Sequence, residues 1–391
     1  MLCGKTRCPI LFKAELLLRS PAFTSSERVE GSSPPGVFVG RLGYPKVLVG
    51  PLIPPFHGDT SLLDLPEAWL GRSLEELVSF RYTLIRGVSR LRVEAASQGD
   101  KMLNLLHEMV LSERPVDAEA EFTRKPRGTL LLSDESQPFG PSAPLQSLRV
   151  SPSTASRQLE KCYYDGDLKA WDAVKILYER GVPISKIQKA FSLGMLGEQR
   201  ARRLVPTRWS ITAVDSMVSL SLVKEVKGYP PINEYRVYHF KHLDNLFAAL
   251  LAPETWSFEW IEAWFPGTVW NPAGLTAEFM GDYEGFKGRT SYPEVGGCYF
   301  SARLAVAEAL RRERRQAATL ILREIHGGYL LPVGVWNVRE SVRQMFRQPP
   351  EKYSNLRQAL EGLAGKLTIP LEKWIEKSVL LKNFLHQRKL I

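Results

Sequence analysis

The chain has 391 residues, enough for two or three domains, and its 44% hydrophobic and 24% charged residues fit a folded protein with a real core. A formal net charge of +10 favours polyanionic partners (nucleic acid, anionic lipid or nucleotides), or else marks the charged, Arg-rich surface of a thermophile. No apolar run reaches the roughly 18–20 residues of a bilayer-spanning helix and the first ten residues lack a secretory apolar stretch, so the expected place is the cytoplasm, at the nucleoid, with no membrane partner.

The elements are taken in chain order. Cys3 and Cys8, with Gly4 between them, have the look of half a four-cysteine zinc site. A tetrahedral zinc needs two further ligands; His239 and His242 are spaced as a second pair, though nothing ties them to Cys3. Over 32–55, Gly and Pro punctuate two short β-rich runs, VFVGR and KVLVG, which predict strands. Leu77, Phe80, Leu84, Val88 and Leu91 recur at helical spacing and predict a helix over 75–93, and a second helix is expected over 101–111. The stretch 124–145 mixes basic residues, one apolar run and Pro-rich turns, as long functional loops do. Helices are expected over 167–179, 185–191 and 198–204. This cadence is either a helix–turn–helix carrying Arg200, Arg202 and Arg203 on its last helix, or an ordinary helical hairpin with a solvated basic face.

The segment VPTRWSITAVD, 205–215, concentrates polar side chains. Read as a strand, it puts Arg208, Ser210 and Thr212 on one face, where an Arg with two hydroxyls holds a phosphate; Asp215 follows, and the bland reading is a wet edge strand. From Tyr235 the pattern reads as a strand running into a helix, and the Trp-rich stretch 256–270 as a packed region. Arg289 lies in a Gly-rich loop, 288–292, of the kind that binds anions through backbone N–H groups, or that is merely a loop. A long helix over 301–318 carries the run from Arg311 to Arg315, a solvated face or a phosphate-contacting one. Strands over 319–325 and 330–336 and a final helix over 371–385 complete a mixed α/β, α+β pattern of two globular domains and a short C-terminal peptide tail. Walker-type, Gly-x-Gly-x-x-Gly, His-Glu-x-x-His and Gly-x-Ser-x-Gly motifs are absent, which argues against a standard nucleotide hydrolase or dehydrogenase.

The tail carries the sharpest spacing. Leu381, Phe384 and Leu385 share one side of a helical turn, as in peptides that plug the pocket of a DNA-polymerase sliding clamp (PCNA). Ser378 stands where such peptides usually have Gln, and Lys382, Arg388 and Lys389 flank the turn. The alternative is an amphipathic helix packed on its own domain.

The segments LCGKTRCPI, SPPGVFVGRLGYPKVLVGPLIPP, KPRGTLLLSDESQPFGPSAPL, VPISKIQKAFSLGMLGEQRARRLVPTRWSITAVD, GRTSYPEVGGCYFSARLAVAEALRRERRQAATLILREI and PVGVWNVRESV, in this order, resemble the archaeal Nre family over nearly the whole chain. The resemblance implies an N-terminal domain over 1–275, a C-terminal domain over 276–375 and a clamp-binding tail over 376–391. It further implies a role in repair of damaged DNA with clamp binding through the tail, and it supplies no catalytic reaction. Members carry another Cys pair before the segment matching Cys3 and Cys8, and this sequence begins without one. The competing expectation is an enzyme on nucleotides or nucleic acid, with Arg208, Asp215, His239 and Arg289 converging in one pocket.

Overall fold

The computed structural model describes residues 7–24, 26–128 and 138–386. The chain divides into two compact units, one spanning Pro9–Val218 and the other the rest of the chain from Ser219. The N-terminal unit opens with α1 (Pro9–Arg19), β1 (Arg28–Ser33), β2 (Gly36–Val39), β3 (Lys46–Ile53), α2 (Leu74–Thr83), β4 (Ile85–Arg92), α3 (Ala95–Gln98), α4 (Lys101–Leu111), β5 (Val116–Phe122) and β6 (Ser142–Val150). It continues through α5 (Arg157–Tyr164), α6 (Ala170–Glu179) and α7 (Ile184–Ser192), and ends within α8 (Thr207–Val226). Among the described residues its six strands lie in the order β1-β5-β6-β4-β3-β2, antiparallel except at the short β4–β6 seam. Gly50 on β3 is required there, because a Cβ would come within 1.8 Å of the Gly87 carbonyl oxygen on β4.

The two strands expected over 32–55 form as β2 and β3, and the helix over 101–111 is α4, its first turn capped by Asp100, whose carboxylate accepts from the Leu103 amide at 3.0 Å. The helix expected over 75–93 is only half right. Ser73 and Glu76 close a capping box at the start of α2, but the backbone turns extended at Leu84 and the rest becomes β4. Pairing with β3 and β6 outweighs the helical spacing of Leu84, Val88 and Leu91.

The C-terminal unit holds β7 (Tyr235–His242), β8 (Asn245–Ala252), β9 (Ser257–Trp264), β10 (Glu278–Glu284), α9 (Gly297–Glu313), β11 (Ala318–Ile325) and α10 (Trp336–Met345). After these come β12 (Glu351–Tyr353), α11 (Leu356–Ala364), α12 (Leu371–Lys377) and α13 (Val379–His386). Its strands order as β10-β9-β11-β8-β7-β12, with only β9–β11 parallel. Every residue of β8, β9 and β11 is buried. One sheet face, with Leu250, Ile261 and Leu320, packs against Leu360, Trp374, Leu380 and Leu381 of α11–α13. On the other, Phe258 meets Tyr299 of α9 at 5.0 Å and Tyr238 meets Phe346, just after α10, at 4.8 Å. A central sheet covered on both faces gives strands without polar alternation.

That burial explains the helix expected after β7. NLFAALLA is β8, a strand buried on both faces, joined to β7 by a turn in which Leu243 and Asp244 both take positive φ, 49° and 54°. Such a turn is usually Asn-Gly or Asp-Gly, so the sequence hides it. The strand expected over 330–336 is instead a loop leading into α10, fixed by the Trp336 indole N–H donating to the Val333 carbonyl at 2.7 Å. Residues 275 and 276, where the domain boundary is expected, lie between β9 and β10, neighbours in one sheet, and the two compact units part at 218/219, inside α8. No helix among the described residues is long and apolar enough to cross a membrane.

Candidate functional site

The final helical stretch is two helices with a break at Ser378, whose backbone is extended. The cause lies across the unit, on β9. Glu259 and Glu262 interrupt the apolar run SFEWIEAW and, three residues apart on a strand, point to opposite faces. Glu262 pairs with Arg323 at 2.8 Å, both buried. Glu259 faces α13: its carboxylate accepts from the Ser378 hydroxyl at 2.5 Å and from the Val379 and Leu380 amides at 2.7 and 2.9 Å. Ser378 Oγ in turn accepts from the Leu381 amide at 2.9 Å. The Glu259 carboxylate and the Ser378 hydroxyl together thus take up the first three amides of α13, and the carboxylate sits at the positive end of its dipole. Burial still pushes the Glu259 carboxyl above its ordinary value, against the pull of these hydrogen bonds.

This seat divides the tail residues. Leu381 is fully buried and Phe384 packs half-buried against the same core, while Leu385 is 48% exposed. Lys382 donates to the Glu376 carbonyl at 2.8 Å; Arg388 and Lys389 lie outside the described residues. Glu259 was not singled out from sequence, although an acidic residue in an apolar strand is a signal worth pursuing. A small open cleft beside the seat is lined by Glu259, Phe279, Tyr283, Lys377 and Val379.

The segment 205–215 is not a strand. It forms the start of α8, so Arg208, Ser210 and Thr212 do not share a face. Arg208 is exposed, and the Thr212 hydroxyl leans on the Arg208 carbonyl at 3.4 Å. Ser210 and Asp215 are fully buried around one partner: the Ser210 hydroxyl donates to the Gln188 carbonyl at 2.5 Å, and the Gln188 amide donates to Asp215 at 2.8 Å. These contacts lock α7 to α8 and form no phosphate cradle. The last helix of the expected helix–turn–helix is also missing, replaced by a three-residue 3-10 turn, Gln199–Ala201. Arg202 is buried, donating to the carbonyls of Gly197 and Tyr163 at 2.9 and 2.8 Å, while Arg200 and Arg203 stay exposed.

Arg289 is held by Asp282 at 2.8 Å and the Ser291 carbonyl at 2.9 Å, with its guanidinium over the Tyr299 ring. Arg311 pairs with Glu225 at 2.8 Å, and exposed Arg315 reaches the Pro231 carbonyl at 3.4 Å. His239 is exposed on β7. His242, on the opposite strand face, is buried against Asn337 at 2.8 Å, so these two histidines do not form a ligand pair. Of the four residues expected in one pocket, Arg208 and Asp215 belong to the N-terminal unit, His239 and Arg289 to the C-terminal one. Cys3 lies outside the described residues, and Cys8 is a partly exposed free thiol. Among the described residues no three His, Cys, Asp or Glu side chains group as a metal would need. Cys298 is no poised nucleophile, since burial pushes its thiol up to about 12.

Two family descriptions match in tandem: "Archaeal Nre, N-terminal" over residues 2–271 and "Archaeal Nre, C-terminal" over 284–391. The chain is 43% identical to "DNA repair protein NreB" of Archaeoglobus fulgidus, over 98% of this chain and 95% of that protein. It is 38% identical to "DNA repair protein NreA" of the same organism, over 94% and 92%, and 34% identical to "DNA repair protein NreA" of Haloferax volcanii, over 90% and 88%. No solved structure matches. Since the two family matches together span nearly the whole length and these relatives align over most of both chains, the chain belongs to the archaeal Nre family.

Proposed function

We propose that the protein works in DNA repair, docking on the polymerase sliding clamp (PCNA) through residues 378–385 and contacting DNA through its excess positive charge. The repair role is supported by relatives that carry the name DNA repair protein over nearly their full length. The observation that carries the clamp reading is the array on α13, with Leu381, Phe384 and Leu385 at the i, i+3 and i+4 positions of a helical turn. In the chain alone Leu381 and Phe384 are already covered by the protein's own core, so docking requires α13 to leave its seat. The clamp then replaces one apolar cover with another, and the released fraction scales the apparent affinity.

Calorimetry of the full chain against the clamp tests this. Binding on the order of micromolar, about −8 kcal/mol, is expected for a segment that must be released first. Phe384→Ala should weaken it by up to roughly thirtyfold, because truncated aromatic anchors cost about 2 kcal/mol or more and easier release of α13 offsets part of that loss. It should also lower the melting temperature, since Phe384 packs on the protein's own core. Leu385→Asp separates the two roles: Leu385 is exposed in the seated helix, so clamp binding should fall while melting stays put. Undetectable binding by the wild-type chain, or wild-type affinity in Leu385→Asp, rejects the reading.

A further inference from the structure

The N-terminal unit carries a surface that the clamp reading leaves unused. β2 and β3 are joined by a turn over 40–45 from which Tyr44 projects, 52% exposed. Its ring lies 5.5 Å from that of Trp209, on the first turn of α8 and 48% exposed. The start of α8 is pinned to this place, because the Val39 amide on the outer edge of β2 donates to Thr207 Oγ1 at 2.8 Å. Backbone therefore presents the two rings, and no core covers them.

Basic side chains lie on the elements that carry the pair and on the neighbouring strand β4. Lys46, two residues beyond Tyr44, faces Arg92 across the β3–β4 ladder, and Arg90 opposes Leu48 on the same face. The opposite face is apolar, with Val47 fully buried. Arg208 precedes Trp209 in sequence, and all four basic side chains are exposed. Arg92 makes a solvent-exposed pair with Glu94 at 3.3 Å, and among the described residues no ion pair neutralises Lys46, Arg90 or Arg208. Exposed rings beside uncompensated cations are the composition of a platform on which bases stack while phosphates find charge.

We propose that this surface binds single-stranded DNA, with bases stacked on Tyr44 and Trp209 and the backbone tracked by Lys46, Arg90, Arg92 and Arg208. The inference rests on the repair reading, which selects DNA as the polyanion. The aromatic pair selects the single strand, since duplex bases have no free face to offer.

Anisotropy of a labelled oligothymidylate of about 20 nucleotides, longer than typical sites of about 4–16, tests it against a duplex of the same length. Trp209→Ala should weaken single-strand binding at least about fivefold, and Trp209→Phe should restore most of it. Arg90→Gln with Arg92→Gln should weaken binding and flatten the log–log salt slope by about 1.4, the loss of two phosphate contacts on a single strand. These side chains are exposed, so melting should not move. If the wild type binds and none of these variants matters, or the wild type prefers duplex, the surface is wrong and DNA contact stands. If the wild type binds neither probe at low salt, the DNA-contact reading fails and the surface fails with it.

Discussion

His107 on α4 shows how a single buried residue ties stability to pH. Its Nε2 lies 3.0 Å from the Leu193 carbonyl and its Nδ1 3.1 Å from the Tyr163 hydroxyl, so a neutral ring donates through one nitrogen and accepts through the other. Burial holds its pKa down at about 4. The folded state thus refuses a proton that the unfolded chain takes near 6.5. Stability from this residue is complete above that value, is lost as pH falls through 6.5, and stops falling near 4, a total of roughly 3 kcal/mol. In His107→Gln, the difference in unfolding free energy between pH 7 and pH 4.5 should shrink relative to wild type in urea titrations; an identical pH dependence would contradict this. Arg303, buried on α9, donates to Glu284 at 2.7 Å and to the Ser219 hydroxyl at 3.0 Å. Arg303→Ala strands a buried carboxylate and should cost about 3–5 kcal/mol in the same titration; a loss below about 1 kcal/mol would mean water reaches Glu284.

At the scale of elements, α13 is held by Glu259 as much as by its apolar face. Glu259→Gln removes the charge that caps it, a loss of about 0.5–2 kcal/mol. Release of α13 should become roughly two- to thirtyfold easier, so this destabilising change should tighten clamp binding. Unchanged or weaker binding in calorimetry would show that the seat and the clamp do not compete. The same helix marks where sequence reading succeeds and where it stops. The spacing of Leu381, Phe384 and Leu385 was legible because it is local. Their seat was not, because it depends on a carboxylate 119 residues away from Ser378. β8 was misread for a related reason, since full burial erases the alternation that marks a strand. Conversely, α4 and β11 were readable, one from a local cap and helical spacing, the other from a dense run of branched residues. The polar cluster from Arg208 to Asp215 looked like a phosphate site because its residues are adjacent in sequence, but a helix turns them to different faces, and Ser210 and Asp215 bond to Gln188 of α7.

For the whole molecule, the proposed DNA contact draws on the net charge of +10, so any DNA affinity should fall steeply with salt, and a flat log–log salt plot would remove the electrostatic part of the account. The central claim is that α13 exchanges its own seat for the clamp. Hydrogen–deuterium exchange on the full chain, with and without clamp, reads this directly. The account predicts that clamp addition leaves α13 protected while exchange quickens in the seat it vacates, in β9 around Glu259 and in α12 around Trp374. Unchanged exchange throughout 257–264 and 371–386 at saturating clamp would contradict it, and would leave α13 as the last core helix of its own unit.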